Sequence, residues 1–200
     1  MGIIIHGNKS FGFAPIDFSG DTPTFGTPVM IPGLVSVEIE VEQNTTSVYA
    51  DDTVYCSVKG AKVRTATATF RNIPATYAPY LGFKEHENGM FSYTGNYPNH
   101  CIFFETEEEN CETGLTTQTL HYLYNVQGSE PSQESNTDEE DIEAAEIEVE
   151  YSCNDSTFVV DKDGAYLQYG YIRRDSDNAT LYDTFKSAVI VPTDEIPASI

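Results

Sequence analysis

The pentapeptide EIEVE occurs twice, at 38–42 and again at 146–150, and each copy sits in a longer alternating run. A helical repeat of 3.6 residues would scatter the acids around a cylinder. A two-residue repeat puts them all on one side. In the first run Val35, Val37, Ile39 and Val41 share one face, and Ser36, Glu38, Glu40 and Glu42 the other. In the second, Ala145, Ile147, Val149 and Tyr151 oppose Glu146, Glu148 and Glu150. Both read as strands with one apolar and one wet face, which only a sheet over a core can satisfy.

The same pattern recurs along the chain. KVRTATATF, 62–70, is Thr-rich and alternating, as a strand requires. HCIFFETEE and TQTLHYLYNV read as a strand pair joined by a turn at 109–114, and YLQYGYIRR and KSAVIVP as two further strands. One short helix is expected over 75–81, begun by Asn72-Ile73-Pro74 and stopped by Gly82, with Tyr77, Tyr80 and Leu81 on its buried side. Turns are expected at Asp52, at 161–164 and at 175–178. The polar stretch 129–140, with Pro131 and clustered Ser, Gln and Asn, reads as a long connection.

Charge narrows the function. Thirty-two acids against ten bases give a net charge of -22, and nine acids fall between 134 and 150. Such a chain repels a phosphate backbone, and its densest basic pair is only Arg173-Arg174. Nucleic-acid affinity is therefore not expected. An apolar content of 40% with thirteen Tyr and eleven Phe suits a folded core, not a solvated acidic tail. No apolar run approaches the roughly 18 residues of a membrane span, so no membrane anchoring is expected.

Catalytic and metal signatures are missing from the sequence. No nucleophile elbow, HExxH, phosphate loop or dinucleotide fingerprint occurs. His100 and Cys101 are adjacent, so on a strand they point to opposite faces. Cys56, Cys101, Cys111 and Cys153 match no zinc spacing and read as buried free thiols, with a Cys101–Cys111 pair across the hairpin as the alternative. DKDG at 161–164 begins like a calcium loop, but Ile172 stands where that loop needs Glu. No cofactor, no metal site and no catalytic residue are expected.

Taken in order, several segments resemble the major tail tube proteins of long, non-contractile-tailed bacteriophages. The string FGTPVMIPGLVSVEIEVEQNTTSVYADDTVY is similar to the family's Gly-Pro entry, alternating acidic strand and YADD-type loop. KVRTATATF with IPATYAPYLGF, then CIFFETEEENCETG, then LHYLYNV with its polar loop and returning strand, and DTFKSAVIVP at the end, follow the family order over about 15–192. His121 stands where the family's YWLY-type strand carries Trp.

This resemblance implies a mainly β, antiparallel sandwich or barrel-like subunit with one short flanking α-helix and extended loops, spanning 1–200 as one domain. It implies hexameric rings stacked into a hollow tail tube that conducts viral DNA to the host. The segment 44–60, centred on Tyr49, Ala50, Asp51 and Asp52, is expected to reach the neighbouring ring, and 127–140 to be a long polar loop. Self, tape measure, tail terminator and distal tail proteins are the implied partners, in a virion tail assembled in the host cytoplasm. DNA would pass without specific binding, and Glu38, Glu40, Glu42, Glu146, Glu148 and Glu150 are the candidate lumen-facing acids. A tail terminator or baseplate hub component of similar fold, or a carbohydrate-binding β-sandwich, are the alternatives.

Overall fold

Alternation of apolar and polar residues is realised here as strands of unusual length. The computed structural model describes residues 3–134 and 145–195, which contain twelve strands. The first five are β1 (Ile3–Asp17), β2 (Thr24–Phe25), β3 (Val29–Met30), β4 (Leu34–Ala50) and β5 (Thr53–Phe70). Next come β6 (Phe83–Glu85), β7 (Phe91–Tyr93), β8 (His100–Asn110) and β9 (Thr116–Gly128). The last are β10 (Ser132–Glu134), β11 (Glu146–Cys153) and β12 (Tyr169–Arg173). All but β6 and β7 join one antiparallel sheet, whose main path runs β2-β1-β8-β9-β11-β5-β4.

That sheet curls, bringing β1 back against β4 without pairing the two. Inside the curl lies one core, with Phe11, Phe13, Phe70, Ile102, Leu123, Val126, Val149 and Tyr151 buried together. On the opposite side of β1, β8 and β9 lies a second core of Cys101, Phe103, Leu120, Tyr122 and Tyr124. Residues of the segment 158–191 cover it, through Val159, Tyr182, Phe185, Val189 and Ile190. Buried hydroxyls find partners there: Tyr182 donates to Glu105 Oε1 at 2.8 Å and Tyr124 to the Ile190 carbonyl at 3.1 Å. Gly12 lies where β1 crosses Phe103, and a Cβ there would come within 2.4 Å of the ring.

Five details depart from the sequence pattern. The long strand β1 has no counterpart in the alternation, because bulges between His6 and Asn8 and between Lys9 and Gly12 break its two-residue repeat. The segment 75–81 is a turn followed by a 3-10 helix, Ala78–Leu81, capped by left-handed Gly82; the short α-helix is α1 (Ala179–Tyr182). KSAVIVP is not a strand, and its Val189 and Ile190 serve instead as lids on the second core. In β4, a bulge between Leu34 and Ser36 turns Val35 outward, so Leu34 joins Val37 and Ile39 against the core. Val41 is likewise exposed, at the level where β11 ends. Of the polar connection expected at 127–140, residues 127 and 128 finish β9, 132–134 pair with β11, and 135–140 lie outside the described residues.

Candidate assembly surfaces

Strand register brings the two acidic runs together. On β5, Thr65, Thr67 and Thr69 point away from the curled core while Ala66, Ala68 and Phe70 point into it. Glu38 of β4 lies opposite Thr67, and Thr67 lies opposite Glu150 of β11. The neighbouring rows are Ser36–Thr69–Glu148 and Glu40–Thr65–Ser152. Glu38, Glu40, Glu42, Glu146, Glu148 and Glu150 are all exposed and share this face.

The threonine strand is an electrostatic spacer. Like charges directly opposite on paired strands destabilise a sheet. With one neutral strand between them, the carboxylate rows are two strand spacings apart, about 10 Å. That is one screening length at about 0.1 M salt. Repulsion per pair is then a few tenths of a kcal/mol in water, small beside the burial of Val149, Tyr151 and Phe70 on the other face. At the margin, Arg71 pairs with Glu146 at 3.1 Å.

Beyond the acidic face, β4 and β5 continue together as a two-stranded arm. The segment 44–60 is thus a hairpin and not an irregular loop, since its strands stay paired to Ala50 and Thr53. Asp51 and Asp52 both take positive φ, 50° and 58°, the geometry of the two-residue turn that matches strand twist. Tyr49, Ala50, Asp51 and Asp52 form the tip. Local bonds stiffen the arm: Ser47 Oγ and Ser57 Oγ lie 3.2 Å apart, and Gln43 Nε2 donates to the Gly60 carbonyl at 2.9 Å. Val48, Tyr49, Val54, Tyr55, Val58 and Val63 are all exposed, Tyr55 at 76%. At its root the Arg64 guanidinium lies over the Tyr169 ring, 5.0 Å from its centre.

Tyr77, Tyr80 and Leu81 are interior. Tyr77 and Leu81 are fully buried and Tyr80 packs half-buried beside them. His100 Nδ1 donates to the Pro98 carbonyl at 2.9 Å, leaving Nε2 to accept from the Tyr77 hydroxyl at 2.9 Å; the Tyr151 hydroxyl lies 3.0 Å from that of Tyr77. Burial holds the His100 pKa down at about 4 and pushes those of Tyr77 and Tyr151 up. His121, in the place of a tryptophan, stacks on Phe104 and spans Thr106 Oγ1 at 2.9 Å and the Tyr169 hydroxyl at 2.7 Å. It borders a cavity of about 350 Å³ at the unpaired seam of β1 and β4. Both nitrogens of His100 and of His121 are engaged in hydrogen bonds within the fold. All four cysteines are free, but of the thiols expected to be buried only Cys101 is so and Cys153 half-buried, whereas Cys56 and Cys111 are exposed.

Among the described residues no three His, Cys, Asp or Glu side chains converge on a metal position. The sequence pattern puts three acids on one face of each run separately and gives no reading of the exposed valines and tyrosines of the arm. Their signal was Val48, Val54, Val58 and Val63 in a stretch whose acids are confined to the turn residues Asp51 and Asp52. No curated protein matches the chain. A family model described as phage tail tube protein matches residues 2–198.

Proposed function

The chain belongs to the phage tail tube protein family, and from that premise we propose that six copies close into a ring, that rings stack into a hollow tube, and that viral DNA passes along its lumen. The protein is a structural component of the phage tail and not a catalyst. The observation that carries the proposal is the row Glu38–Thr67–Glu150, by which both acidic runs become one broad, solvated, negative surface.

A wall that guides DNA must not hold it. Each phosphate neutralised by a Lys or Arg adds affinity through released counterions, so a conducting wall needs those residues absent or already paired. The acidic face meets that requirement. Glu38, Glu40, Glu42, Glu146, Glu148 and Glu150 line the lumen in this reading, with threonines between them. The whole chain acts as one tube domain. The arm at 44–60 reaches the adjoining ring. Tape measure, tail terminator and distal tail proteins are the chain's partners in this reading, with assembly in the host cytoplasm.

Ring closure has a physical basis in the sheet edge. The outer edge of β4 has no partner strand among the described residues over its 17 residues. An edge of that length is a template for pairing, and closure into a ring satisfies it without leaving a new one. Electron microscopy of the purified protein over a concentration series tests the reading. Hollow tubes of constant width are the expected result, and a monomer at every concentration would overturn it. A reconstruction that places the six glutamates on the outer wall would overturn the lumen assignment alone.

A further inference from the structure

The arm and the β6–β7 hairpin are attached at opposite ends of the strand axis. Register shows this directly. Gly128 pairs with Tyr151, which pairs with Ala66, and the arm continues from there through Arg64 to Thr53. Eleven residues from Val63 to Thr53 carry it about 35 Å. At the Gly128 end, Leu81 packs against that glycine, and Gln127 Nε2 donates to the Tyr97 carbonyl at 3.2 Å. The β6–β7 hairpin grows out of this corner, from Gly82 beside Tyr93 and Tyr97.

Two features make that hairpin incomplete in one copy. It forms a separate two-stranded sheet, pairing with no other strand among the described residues. A lone hairpin is marginal in water unless its face is covered. It also exposes Met90 at 56%, Phe91 at 36% and Tyr93 at 48%. The arm has the matching need, with Tyr49, Val54 and Tyr55 uncovered at its tip.

Charge selects the same pair. Copies of a chain with net charge -22 approach best where charge is thin. The arm, 41–63, carries three acids and two bases, and the hairpin, 83–93, two acids and one base. Each element carries charge of both signs, Lys59 and Lys62 with Asp51 and Asp52 on the arm and Lys84 with Glu85 and Glu87 on the hairpin. A stack repeated head to tail must bring the arm end of one copy to the opposite end of the next.

We propose that the β6–β7 hairpin is the seat for the arm tip of a second copy in the adjoining ring, with Tyr49, Val54 and Tyr55 packing on Met90, Phe91 and Tyr93. The proposal rests on the stacked-ring reading and adds the receiving surface. Cys56, one residue from Tyr55 and exposed, is a built-in probe. In a Cys111→Ser background, Met90→Cys is introduced and assembled protein is treated with a short bismaleimide, which alkylates both thiols. A denaturing gel should show a ladder running past six protomers, absent without Met90→Cys. Tubes visible by microscopy but unlinked, or linked products that stop at one closed ring, overturn the seat and leave the tube intact. Absence of tubes from the untreated natural chain removes the stacked-ring reading and the seat with it. Independently, Met90→Ser with Phe91→Ser should raise the concentration needed for tubes at least about tenfold. Unchanged tube assembly would overturn the seat.

Discussion

The body of the subunit and its arm are built from the same two strands and obey opposite rules. In the body, β4 and β5 bury Val37, Ile39, Ala66, Ala68 and Phe70 against one core, and only their Glu and Thr face meets water. Past Val41 and Arg64 the pairing continues, yet neither face has anything behind it and valines and tyrosines stand exposed. Backbone pairing alone therefore sets the shape of the arm, whereas tertiary packing sets the stability of the body. The difference is between surface spent on folding and surface kept for another copy.

Changes in the body should act on folding. The largest effect is expected from Phe103→Ala, because Phe103 is fully buried between Tyr122, Phe185 and Gly12. A loss of about 3–5 kcal/mol is expected from urea unfolding of the unassembled subunit. A loss near zero would mean that the second core is not a load on the fold.

His100 offers a pH handle on the same region. Its folded pKa of about 4 lies below the ordinary 6.5, so between those values the unfolded chain binds more protons. Stability is then constant above about pH 6.5 and falls as pH drops toward 4, by about 3 kcal/mol in all. Subtracting the unfolding curves of His100→Gln from those of the natural chain should isolate this slope. Parallel pH dependence in the two proteins would show that His100 does not titrate on unfolding.

Smaller again is Gly12→Ala. A methyl there must displace the Phe103 ring or the Val29 carbonyl, 2.4 and 2.8 Å away. Overpacking of that kind costs about 1–3 kcal/mol, readable as a lowered unfolding midpoint. At the far end of the scale, Val48→Ser with Tyr55→Ser should change subunit unfolding by under about 0.5 kcal/mol. The same pair should nevertheless suppress tube formation in electron micrographs. An arm variant that unfolds the subunit, or one that leaves tubes unaffected, breaks the contrast between body and arm.

Legibility in the sequence followed the same division. Where one face is buried and the other wet, the pattern announces itself, and the acidic strands, the Thr-rich strand and the β8–β9 pair were plain. It failed where local geometry interrupts the period, as at the two bulges of β1, or where a buried segment is not a strand, as at Val189 and Ile190. Tyr77 and Leu81 are buried although their segment winds as a 3-10 turn, since burial depends on which residues are apolar more than on pitch.

By itself the sequence determined the strand character, the one-sided acids and the turn at Asp51-Asp52, because each follows from side-chain period or backbone sterics over a few residues. Only the tertiary structure decided that the two EIEVE runs share one face, flanking a strand of threonines. It also decided that the segment after the first run stays paired as an arm. The first depends on register between strands far apart in the chain, set by the packing of Phe70, Val149 and Tyr151 inside the curl, and the second on the β4–β5 ladder running on past that core to its two-residue turn.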